Sequence, residues 1–279
     1  MTRVLRTRAE LRDALREAPR PVGLVPTMGW LHDGHRALMR RAREADATTV
    51  VTIFVNPRQF DEPSDYTRYP RNQERDLAVC REEGIDLVWT PPPEEVYPAG
   101  FDTTVSVGSL ALPLEGAARP GHFEGVATVV AILFALVGAE HAYFGQKDAQ
   151  QVMVIRRMAL DLALPTEVIG CPTIREPDGL ALSSRNVHLS PAERAAAPVL
   201  RRALLAARIC WEAGERSVEA LRAVMRDVLA AEPLARVDYV SCADPRTLAE
   251  LERVEDGALL SLAVRFGATR LIDNEPLPS

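Results

Sequence analysis

The stretch "VGLVPTMGWLHDGHRALM", Val22 to Met39, decides how the chain folds. Val22 to Pro26 is apolar at successive positions, so both faces of an extended segment are covered. That is the pattern of a strand in a parallel sheet with helices on each side. From Gly34 the apolar residues fall at helical spacing, and a helix is expected over Gly34 to Ala45. Only a short polar loop carrying Gly29, His32 and His35 separates the two. A buried strand that turns directly into a helix is the repeating unit of a doubly wound α/β sheet.

Outward from this junction the unit recurs. Further strands are expected at Thr48 to Val55, Ile85 to Thr90, Ala142 to Gly145 and Thr166 to Gly170, with helices at Asn72 to Glu83, Phe123 to Val137 and Asp148 to Leu162. The texture changes after Cys171. The polar stretch "REPDGLALSSRN" is followed by helical patterns over Pro191 to Ala213 and Ser217 to Ala231, then by strands "VDYVSCA", "ALLSLAVRF" and "TRLIDN". Ser190-Pro191 reads as an N-cap with a first-turn proline. The expectation is a Rossmann-like α/β domain over 1–173 and a smaller α+β domain over 174–279 that closes over the site. Ligands of such sheets lie at the carboxyl ends of the strands.

Composition narrows the function classes. Of 279 residues 47% are hydrophobic and 26% charged, ordinary globular proportions, and nothing in the net charge of −6 suggests a surface for nucleic acid or membrane. The basic cluster "RALMRRAR", Arg36 to Arg43, reads as a solvated helix face. The four cysteines are too widely spaced for a CxxC site or a disulfide framework, so reduced thiols are expected. No apolar leader opens the chain, and its longest apolar run, Val126 to Ala139, is shorter than the ~20 residues a membrane span takes. The expectation is a soluble cytoplasmic protein.

The residues with chemical potential follow the strands. His32 and His35 stand where a helix begins, and a helix N-terminus offers free N–H groups and positive potential to phosphate. Gly29 and Gly34 let a ligand come close to the backbone. A zinc reading of His-x-x-His lacks the third protein ligand. In "FVNPRQF", Asn56 and Gln59 can hydrogen-bond a small polar substrate, although Asn-Pro is also a turn signal. In "FGQKDAQQ", Lys147 is the only lysine; every other one of the 33 basic residues is arginine. Its compact ammonium on a flexible stem suits a phosphate that moves during reaction. Gln151, one turn on, points to the same side. Ser183, Ser184 and Arg185 form a run of donors on a loop that either closes over polyphosphate or is an ordinary linker. No P-loop, GxGxxG or GxSxG pattern is present.

Together "PTMGWLHDGH", "IFVNPRQF", "YPR", "RPGHFEGV", "FGQKDAQQ" and "DGLALSSRNVHLS" resemble, in order and spacing, the pantoate–β-alanine ligase (pantothenate synthetase) family of the HxGH nucleotidyltransferases. The likeness is strong from Val22 to Ser190 and runs more weakly to "RLIDN", Arg270 to Asn274. It implies an ATP-dependent, Mg²⁺-requiring condensation of (R)-pantoate with β-alanine through a pantoyl adenylate, giving pantothenate, AMP and pyrophosphate, by a homodimer. Met28, Gly29, Trp30, Leu31, His32, Asp33, Gly34 and His35 would lie along ATP, with His35 as proton donor. Gly145, Gln146, Lys147, Asp148, Ile174, Leu182, Ser183, Ser184 and Arg185 would complete the ATP site. His32, His35, Lys147, Ser184 and Arg185 would supply cationic or donor groups to the developing pyrophosphate, while Gln59 and Gln151 would hold pantoate, with Gln59 also near β-alanine and Asn56 beside it as a further substrate-binding candidate. The resemblance assigns no metal ligand and no role to Arg119 and His122.

Three positions depart from the family pattern: Trp30 for alanine, Arg58 for threonine or methionine, and Ala149 for an aromatic residue. All three bear on pocket shape. Two other readings stand beside the ligase: a nucleotidyltransferase acting on a phosphorylated alcohol, and a non-catalytic adenylate-binding protein. Gln59 and Gln151 favour a carboxylate or hydroxyl substrate over a phosphorylated one, which would call for another basic residue. The intact His pair and lysine disfavour a mere binder.

Overall fold

The computed structural model describes residues 1–60 and 63–278. In chain order its elements are β1 (Arg3–Leu5), α1 (Arg8–Arg16), β2 (Val22–Thr27), α2 (Asp33–Ala45), β3 (Thr48–Ile53), α3 (Pro63–Arg68), α4 (Gln73–Glu82), β4 (Leu87–Trp89), α5 (Pro93–Val96), α6 (Glu115–Ala118), α7 (His122–Val137), β5 (His141–Gly145), α8 (Ala149–Asp161) and β6 (Glu167–Cys171), then α9 (Pro191–Ala196), α10 (Val199–Glu212), α11 (Val218–Ala230), β7 (Arg236–Ala243), β8 (Ala258–Phe266) and β9 (Thr269–Leu277). Two compact units result, Met1–Gln146 with Gln150–Pro172, and Lys147–Ala149 with Thr173–Ser279. Ser279 itself lies outside the described residues.

In the first unit, six strands among the described residues pair in parallel in the order β1-β4-β3-β2-β5-β6. The sheet is the doubly wound α/β arrangement expected. Leu38, Met39 and Ala42 of α2 and Val79 and Cys80 of α4 join Val25, Val51, Val88 and Tyr143 of the strands in one core. From β2 the chain winds out through β3 and β4, then returns to β5 and β6 on the opposite side of β2. The order therefore reverses between β2 and β5, and the crevice beyond their carboxyl ends is where such sheets take ligands. The run Val126 to Ala139 lies largely in α7, a buried helix apolar on nearly every side. No helix among the described residues is long and apolar enough to cross a membrane.

Two elements were not expected: β1, which is only three residues long, and α1, whose capping box of Thr7 and Glu10 was passed over. The Arg36 to Arg43 cluster is also not simply a solvated face. Arg36, Arg40 and Arg43, one helical stripe on α2, converge on Glu83 at the end of α4, with guanidinium-to-carboxylate distances of 2.7 Å from Arg36 and 2.7 and 2.8 Å from Arg40 and a 3.0 Å bond from Arg43 to the Glu83 carbonyl.

In the second unit β7, β8 and β9 form an antiparallel sheet whose inner face packs on α10 and α11 through Leu200, Leu204, Leu221, Met225, Leu260, Leu262 and Phe266. The single helix expected from Pro191 to Ala213 is two, because Pro198 removes a backbone donor and its ring clashes with the preceding turn.

Candidate active site

The β2–α2 junction is a network whose donors and acceptors are specified. His32 is the N-cap of α2, and its Nδ1 accepts the Gly34 N–H at 3.2 Å. His35 Nδ1 accepts the His32 N–H at 3.2 Å, a capping box built from two imidazoles whose ring centroids are 4.1 Å apart. An Nδ1 that accepts leaves the ring proton on Nε2, so each neutral imidazole presents Nε2–H as its donor.

Behind the loop stands a residue the sequence reading passed over. Asp76 of α4, 1% exposed, accepts the Trp30 and Leu31 N–H groups at 2.8 Å each. Gly29, at φ +84°, passes so close that a Cβ there would sit 2.8 Å from Asp76 Oδ2. Asp76 shares its helix face with buried Val79 and Cys80, and a carboxylate on an apolar stripe was the available signal. Leu31 is a core residue, so only its backbone could line a ligand, and Asp33 has an exposed side chain. Trp30 adopts φ +52°, and the Arg75 guanidinium lies 4.8 Å from the centre of its ring.

The turn after β3 places Gln59. Asn56, 1% exposed, does not offer itself to a substrate. Its Nδ2 donates to Gln59 Oε1 at 3.1 Å and to the Gly125 carbonyl at 3.0 Å, while its Oδ1 accepts from Arg58 N at 3.2 Å and Tyr97 OH at 2.8 Å. Burial pushes the Tyr97 phenol up to about 12, so it remains a donor. Asn56 thus orients Gln59, whose Nε2 reaches Met28 Sδ at 3.0 Å.

The motif "RPGHFEGV" serves the same turn. His122 Nδ1 lies 2.8 Å from the Gln59 carbonyl and must be the donor there; Arg119 Nη2 donates to that oxygen at 3.1 Å and Arg119 Nη1 lies 3.4 Å from His122 Nε2. Gly125 lets α7 come close, since a Cβ on it would be 2.2 Å from the Arg58 carbonyl oxygen. Arg58 stacks on Phe101 and Tyr97, with ring centres 5.0 and 5.3 Å away.

At the end of β5, a Cβ on Gly145 would meet no atom within 4 Å, and Gln146 lies against Gly170 of β6. Gln150 is buried and holds the Leu110 and Pro113 carbonyls at 2.9 and 2.8 Å and the Glu115 N–H at 3.0 Å. Its neighbour Gln151 is half-buried and makes none of these ties. Ala149 is buried.

In the second unit, Lys147 sits in the 3₁₀ turn Gln146–Asp148 with its side chain 17% exposed and its Nζ 3.7 Å from Asp148 Oδ1. Asn274 of β9 donates to the Lys147 carbonyl at 2.9 Å. The segment 174–185 is more ordered than a loose loop. Leu182 N donates to the Ile174 carbonyl at 3.0 Å, Arg175 and Ala181 form an antiparallel bridge, and Gly179 takes φ +93° at the turn. The Ser183 hydroxyl is used locally, capping the 3₁₀ helix Ser184–His188 by accepting the Arg185 N–H at 3.2 Å, and Ser184 is buried. Among the described residues no group of three or more His, Cys, Asp or Glu is arranged to hold a metal ion.

The chain is similar to known proteins over nearly its whole length. A family model described as "Pantoate-beta-alanine ligase" matches residues 3–276. A pantothenate synthetase of Roseiflexus sp. (strain RS-1) is 61% identical over 272 residues, 98% of each chain. One from Chloroflexus aurantiacus (strain ATCC 29366 / DSM 635 / J-10-fl) is 59% identical over 273 residues, 98% of this chain and 97% of its own. The crystal structure of pantothenate synthetase from Thermus thermophilus superposes with a TM-score of 0.95 at 51% identity, covering 99% of this chain and 100% of that one. The pantoate-beta-alanine ligase of Francisella tularensis, solved with beta-gamma ATP and beta-alanine, gives 0.83 at 30% identity, covering 99% and 97%.

Proposed function

The chain belongs to the pantoate-beta-alanine ligase family, and from that premise we propose how it forms pantothenate. A carboxylate oxygen of (R)-pantoate attacks the α-phosphorus of ATP, the bond from that phosphorus to the bridging oxygen breaks, and pyrophosphate leaves. The neutral amine of β-alanine then attacks the acyl carbon of the pantoyl adenylate, the bond from that carbon to the AMP oxygen breaks, and the nitrogen loses a proton to solvent, leaving the amide and AMP. Neither step needs a protein nucleophile. Both need positioning, and the first needs stabilisation of charge on the leaving pyrophosphate.

The observation that carries the assignment of roles is the capping pair. With Nδ1 of His32 and of His35 both taken by backbone N–H groups, Nε2–H becomes the donor of each ring at the start of α2. Donors of that kind suit phosphate oxygens, with His35 as the proton donor. Lys147, Ser184 and Arg185 supply further charge and hydrogen bonds. Gln59, with its amide oriented by Asn56, and Gln151 hold pantoate. An acyl adenylate hydrolyses readily, and the Ser183–Arg185 segment is the candidate for keeping water from it.

Mg²⁺ is the ion this chemistry calls for, and the chain has no carboxylate cage for it among the described residues. Mg²⁺ retains waters and is usually held through substrate phosphates. Mg²⁺ would then arrive with the nucleotide, held through its phosphates, and would offset the charge that develops on the leaving pyrophosphate. The active species is a cytoplasmic homodimer, which sedimentation equilibrium tests; a monomer with full activity removes that element.

The deciding experiment is pantoate-dependent exchange of labelled pyrophosphate into ATP without β-alanine. Exchange is expected. Its absence in folded protein with Mg²⁺ overturns the adenylate mechanism, and exchange without amide formation on adding β-alanine overturns only the second substrate.

A further inference from the structure

The stretch "RLIDN" at Arg270 to Asn274 has no part in the chemistry above, yet two of its side chains reach the segments that carry it. Both lie on β9, which pairs with β8 along its whole length. Asn274 Nδ2 donates to the carbonyl of Lys147, 127 residues earlier, at 2.9 Å. Asp273, 3% exposed, takes Nη1 and Nη2 of Arg175 at 2.6 and 2.9 Å, and its Oδ1 also accepts the Asn274 N–H at 2.8 Å. Arg175 Nη1 closes its own hairpin with a bond to the Gly179 carbonyl at 3.1 Å. Consecutive residues of a strand project to opposite faces, so this pair can serve two segments at once: the turn with the lone lysine and the hairpin that leads to Ser183, Ser184 and Arg185.

The turn at Lys147 runs directly into α8, and Asn274 ties its peptide from outside that helix; the hydrogen bonds of a 3₁₀ turn are poorer in geometry than those of an α-helix. Lysine has a flexible stem, so where its ammonium rests depends on where its backbone is held and on how much of the stem is covered. The Lys147 side chain is largely covered, and the Asn274 amide is a part-buried side-chain donor to its peptide carbonyl.

We propose that Asn274 is a positioning residue for Lys147, holding the 147 peptide so that the ammonium meets the pyrophosphate as it leaves. The inference rests on the reading of Lys147 as a phosphate ligand given above. It also makes a distinction that a purely structural asparagine would not. Pyrophosphate takes part in the first half-reaction and is absent from the second, so loss of Asn274 should slow adenylate formation and spare amide formation.

The test compares Asn274→Asp, which keeps the shape but turns an acceptor toward the carbonyl, and Asn274→Ser, which shortens the donor, each alone and combined with Lys147→Ala. Pyrophosphate–ATP exchange and the reaction of preformed pantoyl adenylate with β-alanine are measured separately. Asn274→Asp is expected to lower kcat for exchange at least about tenfold, the loss of one well-made part-buried hydrogen bond, and to leave the second half-reaction within about twofold. In the Lys147→Ala background the same change should cost less than about threefold, since residues acting as one unit are not additive. Equal losses in both half-reactions, additive losses, or unimpaired exchange overturn the proposal. If Asn274→Asp does not fold, Asn274→Ser carries the same comparison, with a smaller loss confined to exchange expected and a loss shared by both steps overturning it. If Lys147→Ala itself exchanges like the parent, the phosphate reading of Lys147 fails; if Lys147→Ala is impaired and Asn274→Asp is not, only the positioning role fails.

Discussion

Asp76 and Trp30 are joined across the β2–α2 junction by a 2.8 Å hydrogen bond from the Trp30 N–H to Asp76 Oδ2, and the other oxygen of the same carboxylate takes the Leu31 N–H at the same distance. The loop before the histidine pair is therefore shaped by a carboxylate from α4 as well as by its own residues. Replacing Asp76 by alanine leaves two backbone donors without their acceptor in a buried place. We expect a loss of about 2–4 kcal/mol in unfolding free energy and, at temperatures where the variant stays folded, a rise in KM for ATP. Denaturant titration and exchange kinetics check both; an unchanged KM would show that the clamp matters to folding alone.

Trp30 tests how the same loop tolerates its left-handed backbone. A non-glycine residue at φ +52° carries roughly 1–2 kcal/mol of strain. Trp30→Gly and Trp30→Ala both lose the stack on Arg75, and only glycine relieves the strain. Glycine's freer unfolded chain offsets part of that relief. Trp30→Gly is expected to be the more stable by about 1 kcal/mol in urea denaturation.

Gly125→Ala should act on Gln59 without touching it. The added Cβ would lie 2.2 Å from the Arg58 carbonyl oxygen, a backbone atom, so the 57–59 turn must shift. A shift of that kind is expected to raise KM for pantoate about tenfold or more, with the KM for ATP changed much less. His122→Ala, which removes one of two donors to the Gln59 carbonyl, should move the same constant by a smaller factor because Arg119 remains. Steady-state kinetics with each substrate varied in turn separates these outcomes.

Lys147→Arg preserves charge and alters shape. A planar guanidinium on a longer stem has to enter a turn where the lysine is largely covered, and we expect well over tenfold loss in exchange rate with little change in stability. Near-parental exchange would mean that charge alone suffices there.

Glu83 gives a pH signature. Hydrogen bonds from Arg40 foremost, and then from Arg36, hold its carboxyl below the usual carboxylate range against the opposing effect of burial. A lowered folded-state pKa stabilises the protein at pH above the unfolded value of about 4.3, and the contribution is lost as pH falls through the folded value. Glu83→Gln should therefore reduce stability by about 1 kcal/mol at pH 7, a figure trimmed because Arg40 is exposed and screened. The difference between parent and variant should close as thermal melts are carried from pH 5 to pH 3; a constant gap would rule out the ion pairs as its source.

Much of this molecule is written locally. Val22 to Met39 specifies a buried strand that runs into a helix, because apolar continuity and then helical spacing are properties of neighbouring residues. The recurrence of that unit dictates a doubly wound sheet, and the His32 and His35 pair is placed at a helix start by chain order alone. The limits of local reading were also specific. A continuous helical pattern from Pro191 hid the break at Pro198, β1 had too few residues to show a period, and α1, which Thr7 and Glu10 cap, was passed over although its signal is present.

What only the tertiary structure decided is which polar residues are consumed by the protein itself. Asn56 looks like a ligand residue in "FVNPRQF", but its amide is spent on Gln59, Gly125, Arg58 and Tyr97. Arg119 and His122 carry no message in sequence until α7 brings them to the Gln59 carbonyl. Asn274 lies 127 residues from the lysine whose peptide it holds. Hydrogen bonds are satisfied at about 3 Å in space without regard to distance along the chain. Thus the order of residues determined the sheet and the chemistry at its strand ends, and packing determined which side chains hold that chemistry in place.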